Sequence, residues 1–175
     1  MLFADQGWIQ TGAEGEILDW QAVSFSNAMS SLIYLRCPED EQLRQQVYSH
    51  LLQWQEEGIY GIGTVFTAKE AWEQHHLKGN FSFVVESDGY TSFGDRAVRP
   101  LVQAFDDSDY RLGRATHGGL PDFGPQPVFV AKGPDFQCYR MLQRRDLIDE
   151  APTYARLLGI TLKHSEGKEM EEFLR

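Results

Sequence analysis

Cysteine is scarce in this chain of 175 residues, which contains only Cys37 and Cys138. At most one disulfide could form, so the chain lacks the cysteine framework of a small secreted domain. No apolar stretch approaches the roughly 20 residues that a transmembrane helix needs. The first residues, MLFADQGWIQ, also lack the basic start and apolar centre of a secretory signal. We therefore predict two free thiols, no membrane span and a cytoplasmic location.

Basic residues are also few, with 16 Lys and Arg against 26 Asp and Glu, which gives a formal net charge of −10. An acidic chain repels a phosphate backbone, so a nucleic-acid polymer is not an expected partner. A small phosphorylated substrate remains compatible with this charge, because a bound metal ion reverses the local field. Hydrophobic residues make up 42% of the chain, and its length predicts one globular domain over residues 1–175.

Strand and helix signals alternate along the sequence, which predicts an α/β layer fold. Thr67 and Glu70 form a capping box that predicts a helix start. Leu43, Val47, Leu51 and Trp54 recur on one helical face. Strands are expected at 2–4, 22–26, 31–35, 59–66, 81–85 and 128–131, and helices at about 38–58 and 67–77 and within 146–159.

Two residues are candidate metal ligands, and each has a simpler alternative. Asp5 follows the predicted first strand, and the ends of strands are where open α/β sheets bind ligands. Asp and Gly are also ordinary turn formers, so Asp5 could simply stabilise a turn. His117 stands before two glycines, and neutral imidazole is a common zinc ligand. The simpler alternative for His117 is an exposed loop residue.

Other titratable residues lack a convergent pattern. His75 and His76 are adjacent at the end of a predicted helix, so their side chains diverge by about 100° and cannot share one ion. The acidic run Asp106, Asp107 and Asp109 could bind a hard cation, but a solvated loop is the favoured interpretation. The residues alone therefore indicate an α/β domain with two separate hints of metal binding.

Three segments in this order resemble the C-terminal part of the alkaline phosphatase superfamily, in its type I phosphodiesterase/nucleotide pyrophosphatase branch. They are Asp5-Gln6-Gly7, ATHGGLPDFGPQPVFVAKGPDF at 115–136 and RDLIDEAPTYARLLGITL at 145–162. The resemblance implies a mostly parallel sheet flanked by helices, of which this chain would be the C-terminal portion. Residues 8–113 match only in their alternating pattern.

The resemblance also implies a centre with two zinc or similar divalent ions, at which a Thr or Ser attacks phosphorus. Asp5 would bind one ion and His117 the other. Gln6 stands at a family histidine position, and its amide oxygen is a poorer zinc ligand than imidazole. The family's nucleophile lies on a segment that no residue here matches, so no catalytic residue is assigned within this chain.

The expected function is therefore the C-terminal portion of a metal-dependent phosphodiesterase, inactive without its N-terminal half. Its substrate would be a small phosphodiester, and its partner that missing half. The alternative is a degenerate, non-catalytic module that binds a ligand or self-associates through an exposed sheet edge. A third interpretation is a complete enzyme of another type that uses His75, His76 and the acidic loop.

Overall fold

A computed structural model describes residues 1–104, 116–123, 126–140 and 143–175. The chain divides into two compact units, residues 1–126 and residues 127–175, and the single domain expected for 1–175 stays a prediction. Within the described ranges, no helix is long and apolar enough to cross a membrane. The first unit contains α1 (Leu2–Asp5), β1 (Ile9–Thr11), β2 (Ile17–Trp20), β3 (Ala22–Asn27), β4 (Ser30–Leu35), α2 (Glu41–Glu57), β5 (Ile62–Thr67), α3 (Ala68–His75) and β6 (Phe83–Ser87).

The strands form two antiparallel sheets, so the predicted mostly parallel sheet is wrong. β1 pairs with β2 as a two-stranded sheet, and the larger sheet has the order β3-β4-β6-β5. Each neighbouring pair in the larger sheet is antiparallel. The alkaline phosphatase-like fold, with helices on both sides of a parallel sheet, is therefore also a wrong prediction.

The connections explain the difference. Only two residues, Ala28 and Met29, join β3 to β4, and parallel strands need a crossover of a dozen or more residues. Ala28 has a positive φ of 58°, which the tight reversal requires. α2 does join two strands that run in the same direction, β4 and β5, but β6 lies between them. Alternation of strands and helices in the sequence does not determine which strands become neighbours.

The larger sheet buries both of its faces. On one face, α2 places Leu43, Val47, Leu51 and Trp54 against Ile33, Val65, Phe83 and Val85. This confirms the predicted apolar face of the helix. On the opposite face, the smaller cluster of Phe66, Ala71, Phe81 and Val84 packs beneath α3. Successive strand residues point to opposite faces, so Ile33, Val65, Phe83 and Val85 meet α2 while Phe66 and Val84 face α3. The register shift in β5 places Ile62 on the α2 side as well.

The capping box predicted at Thr67 and Glu70 is confirmed. Thr67 accepts a hydrogen bond from the Glu70 amide (3.2 Å), while the Glu70 carboxylate accepts one from the Thr67 amide (2.8 Å). These two bonds form the capping box at the start of α3. The Asp40 side chain caps α2, and Gly58 ends that helix in the left-handed conformation.

Both cysteines, Cys37 and Cys138, have free thiols, as predicted, and both are exposed.

The strand predicted at residues 2–4 is wrong, because these residues belong to α1. Asp5 N donates to Met1 O and Gln6 N to Leu2 O, which is helical bonding. Gly7 follows with a φ of 77°, and a left-handed glycine ends a helix as readily as it forms a turn. The apolar residues are still buried, since Phe3 packs against Trp8 and Trp54.

The second unit is built around α4 (Glu150–Leu157), with short 3₁₀ helices at Leu147–Asp149 and Glu171–Phe173. The helix predicted within 146–159 is confirmed. The strand predicted at 128–131 is wrong: these residues form no strand, and Val128 and Val130 are each 85% exposed.

One buried hydroxyl joins α4 to the segment that follows it. Thr153 is fully buried, and its Oγ1 donates to Asp149 O (2.7 Å) while it accepts from Met170 N (2.9 Å). Asp149 Oδ1 in turn accepts from Lys168 N (2.8 Å). The positions of the Met170 and Lys168 amides therefore depend on the side chains of Thr153 and Asp149.

We expect Thr153→Val to destabilise the second unit by about 1–3 kcal/mol, because an isosteric apolar side chain leaves the buried Met170 amide without its acceptor. Hydrogen exchange at the Met170 and Lys168 amides would measure the effect locally. Thr153→Ser keeps the hydroxyl and is the matched control. Equal exchange rates in the Val variant and the native chain would contradict this role.

Candidate functional site at the 117–121 loop

His117 lies in an extended loop that is attached to the turn between β3 and β4. Its carbonyl oxygen accepts a hydrogen bond from Met29 N (3.1 Å), while its side chain is exposed. The backbone is therefore fixed at the position from which the imidazole projects. An exposed imidazole on a fixed backbone can serve as a metal ligand or as a proton acceptor.

Gly118 allows this loop to approach the sheet. Its φ is +88°, and a Cβ at this position would lie only 1.9 Å from Asn27 O. No other residue type could occupy the position without moving the loop. Gly119 is different, because the nearest atom to its added Cβ would be Glu86 Oε1, at an ordinary contact distance of 3.6 Å.

Glu86 is the second attachment point of the loop. It lies on β6 in the centre of the sheet and is only 6% exposed, yet it carries a carboxylate. Its Oε1 accepts a hydrogen bond from Leu120 N (2.6 Å). Burial raises the pKa of the Glu86 carboxyl above its usual range, and the hydrogen bond from Leu120 opposes part of this shift.

The strand register places Glu86 in a polar row. Glu86 lies opposite Ser30 of β4 and opposite Thr64 of β5, and Ser30 lies opposite Asn27 of β3. Side chains directly opposite each other in antiparallel strands share a face. This face meets α3 and the 117–121 loop, and between them is a cleft of about 290 Å³.

Asp5 and Gln6, the other predicted site residues, lie at the end of α1. Asp5 is exposed, and both of its carboxylate oxygens accept from Arg99 Nη2, at 3.1 and 3.2 Å. Gln6 is exposed and is the C-cap residue of the helix. The metal-ligand roles of Asp5, Gln6 and His117 remain predictions.

The described residues do not assemble a metal centre by themselves. Among them, no group of three or more His, Cys, Asp or Glu side chains is placed to hold an ion. His75 contacts the ring of Phe66 (5.1 Å between ring centroids), and His76 contacts Trp72 (5.5 Å). Their rings have different partners, in agreement with the predicted divergence. The acidic run Asp106, Asp107 and Asp109 lies outside the described residues.

Sequence reasoning missed Glu86 as a site residue. The segment FSFVVES at 81–87 was interpreted as a strand that ends at Val85. The structure extends β6 to Ser87 and buries all of its residues. A charged residue at a buried strand position is rare unless it has a partner, but the burial of Glu86 results from strand pairing and from the contact with Leu120, which the sequence does not show.

The contrast between the two glycines generates a matched prediction. Gly118→Ala should destabilise the first unit by about 1–2 kcal/mol, since it adds left-handed strain and a clash with the Asn27 carbonyl. Gly119→Ala should change stability little. Thermal unfolding and hydrogen exchange at the Met29 and Leu120 amides would measure both effects. Similar losses in the two variants would contradict the proposed attachment.

Glu86 should make the stability of the first unit depend on pH. A folded-state pKa above the ordinary value of 4.5 means that the folded protein holds this proton more tightly. Its stabilising contribution is complete below pH 4.5 and is lost as the pH rises through the folded pKa. We therefore expect Glu86→Gln to become progressively more stable than the native chain from pH 4 to pH 7.

Denaturant unfolding at several pH values would measure this difference. Gln retains an oxygen that can accept from Leu120 N, so the variant should fold. Glu73→Gln on α3, where the carboxylate is exposed, is the control and should show no such trend. A free-energy difference that stays constant across the pH range would contradict the prediction.

Comparison with known proteins identifies no relative for this chain. No protein-family model matches it. Neither curated proteins nor solved structures show a significant similarity. The function proposed below therefore depends on the motifs of the chain and on the geometry of the 117–121 loop.

Proposed function

We propose that this chain is the C-terminal portion of a metal-dependent phosphodiesterase or nucleotide pyrophosphatase-type hydrolase. It contributes His117 to a divalent-metal centre, with zinc or a similar ion as cofactor and a small phosphodiester as substrate. The nucleophile belongs to an N-terminal half outside these residues, so the chain is inactive alone.

The observation that carries this proposal is the way in which the loop holds His117. The imidazole is exposed, while the backbone on its C-terminal side is fixed at Met29, Asn27 and Glu86. A metal ligand needs this combination, because ligand atoms must be held within a few tenths of an ångström. An ordinary surface loop would not need a glycine packed directly on a sheet carbonyl.

The described residues do not supply a complete metal centre. His117 provides one nitrogen donor, and no further pair of donors lies with it in the described parts of the chain. Asp5 is paired with Arg99 and would have to leave that guanidinium to bind an ion. In this proposal the N-terminal half supplies the remaining ligands, and zinc should bind only weakly without it.

The antiparallel sheet does not remove this proposal, but it changes its basis. Strand direction no longer supports a site at shared carboxyl ends of parallel strands. Support comes instead from the Thr116-His117-Gly118 motif and from the contacts that hold it. Thr116 and His117 are both exposed, so this segment is accessible to a partner polypeptide.

A second candidate function is a non-catalytic module that binds a ligand or self-associates. The ion pair between Asp5 and Arg99 favours it, because this pair neutralises one of the two predicted metal ligands. Edge pairing between copies has less support. Ser26 N on edge strand β3 already donates to Asp95 Oδ1, and Gly63 O on edge strand β5 accepts from Gln55 Nε2.

Zinc titration by calorimetry, together with hydrolysis of bis(p-nitrophenyl) phosphate, tests the hydrolase proposal. We expect no turnover by the chain alone, and weak zinc binding that His117→Ala reduces at least tenfold. Thermal unfolding of the metal-free protein should be nearly unchanged in this variant, because the His117 side chain is exposed. His164→Asn, in the second unit, is a control at another exposed histidine.

Each alternative outcome has a distinct meaning. Equal zinc binding by the native chain and His117→Ala would refute the ligand role. Turnover by the chain alone would mean that a nucleophile is present in these residues. Addition of a nucleophile-bearing N-terminal polypeptide should restore turnover that depends on His117, whereas concentration-dependent dimers without such restoration would favour the non-catalytic module.

A further inference from the structure

The cleft beside the 117–121 loop combines a polar row and an apolar row on one sheet face. Asn27, Ser30 and Glu86 line its polar part. Val84 and Phe66, which lie opposite each other two residues further along their strands, line the apolar part. The sheet surface at the base of the cleft therefore changes from polar to apolar within the length of one small molecule.

Two further elements form the walls of the cleft. Ala71 and His75 of α3, followed by Leu77, line one side, and residues 118–121 line the other. The small side chain of Ala71 and the absence of side chains at Gly118 and Gly119 leave the space open. A volume of about 290 Å³ is just below the usual range for ligand pockets and suits a single ring with a short substituent.

Glu86 decides which chemistry this cleft favours. It accepts a hydrogen bond from the Leu120 amide, and among the described residues no Lys or Arg forms an ion pair with it. A buried carboxylate without a counter-charge is unfavourable, because it has lost water and gained no opposite charge. A cationic ligand would supply that charge, and the net charge of −10 favours its approach.

We propose that the cleft binds a small planar cation, an aryl amidinium or a ring with a protonated amino group, with its charge on Glu86 and its ring against Phe66 and Val84. An amidinium presents two parallel N–H donors, which match a carboxylate. Ser30 lies opposite Glu86, and Asn27 lies opposite Ser30 on the next strand, so both are on this face to accept further donors. This inference requires neither a metal ion nor a nucleophile, so it stands apart from the proposed hydrolase function.

Benzamidine is the probe, and benzamide is its neutral control of the same shape. We expect benzamidine to bind the native chain at pH 7.5 at least tenfold more tightly than benzamide, as measured by amide chemical-shift titration. The largest shifts should be at Ser30, Glu86 and Leu120. Glu86→Gln keeps the shape and the acceptor for Leu120, and it should reduce benzamidine affinity at least tenfold.

Two controls make the result specific. Glu73→Gln removes an exposed carboxylate of α3 that does not line the cleft, and it should leave benzamidine affinity unchanged. The amide spectrum of Glu86→Gln must match that of the native chain away from the cleft, which shows that the variant is folded. If its spectrum does not match, loss of benzamidine shifts in Ser30→Val is the second test, since this variant retains the carboxylate but removes the hydroxyl beside it.

Several outcomes would overturn the proposal. These are equal binding of benzamidine and benzamide, benzamidine affinity that survives Glu86→Gln, and shifts centred away from Ser30, Glu86 and Leu120. A loss of affinity in Glu73→Gln equal to that in Glu86→Gln would show that the cation binds to acidic surface in general.

Discussion

The candidate site depends on one hydrogen bond, from the Leu120 amide to the buried carboxylate of Glu86. A carboxylate in the centre of a sheet is costly to bury, and a backbone N–H offsets part of that cost without adding a charge. The same contact fixes the loop at Leu120. With Gly118 against Asn27 and the His117 carbonyl bonded to Met29, it positions the backbone that carries the His117 imidazole.

This contact exists because of the antiparallel order of the sheet. β6 is inserted between β4 and β5, so Glu86 has a strand on each side and cannot reach solvent at an edge. The side-chain alternation of a strand then assigns the odd-numbered residues Val85 and Phe83 to the α2 face. Glu86 and Val84 point to the opposite face. There α3 covers part of the surface, and the 117–121 loop covers a further part.

Local signals in the sequence predicted local structure well. The apolar periodicity from Leu43 to Trp54 identified α2, and the Thr67–Glu70 pair identified the start of α3. Both signals act through neighbours three or four residues apart, so they need no knowledge of the fold. The strands at 22–26 and 31–35 were also found, because a run of β-branched and apolar residues favours a strand in any sheet.

Long-range arrangement was not predictable in the same way. Strand direction depends on which strands pair, and the two-residue connection at Ala28 was the one local sign of an antiparallel pair. The β1–β2 hairpin was missed, since its strands have only three and four residues. His117 was singled out from its glycine neighbours, but Glu86 was not, because its importance arises from Leu120, 34 residues away.

A comparison of two buried carboxylates separates a structural role from a site. Asp149 in the second unit also accepts from a backbone amide, that of Lys168, and it is not among the residues that line the neighbouring cleft of about 240 Å³. Thr153 Oγ1 donates to the main-chain carbonyl of Asp149, and Gly167 lies so near the Ile148 carbonyl that an added Cβ would be 2.0 Å from it. Glu86 makes the same type of amide contact but lines an open cleft. A buried carboxylate that is bonded to an amide therefore has a structural role, as Asp149 does. Glu86 differs because it also lines an open cleft, where our proposed ligand could reach it.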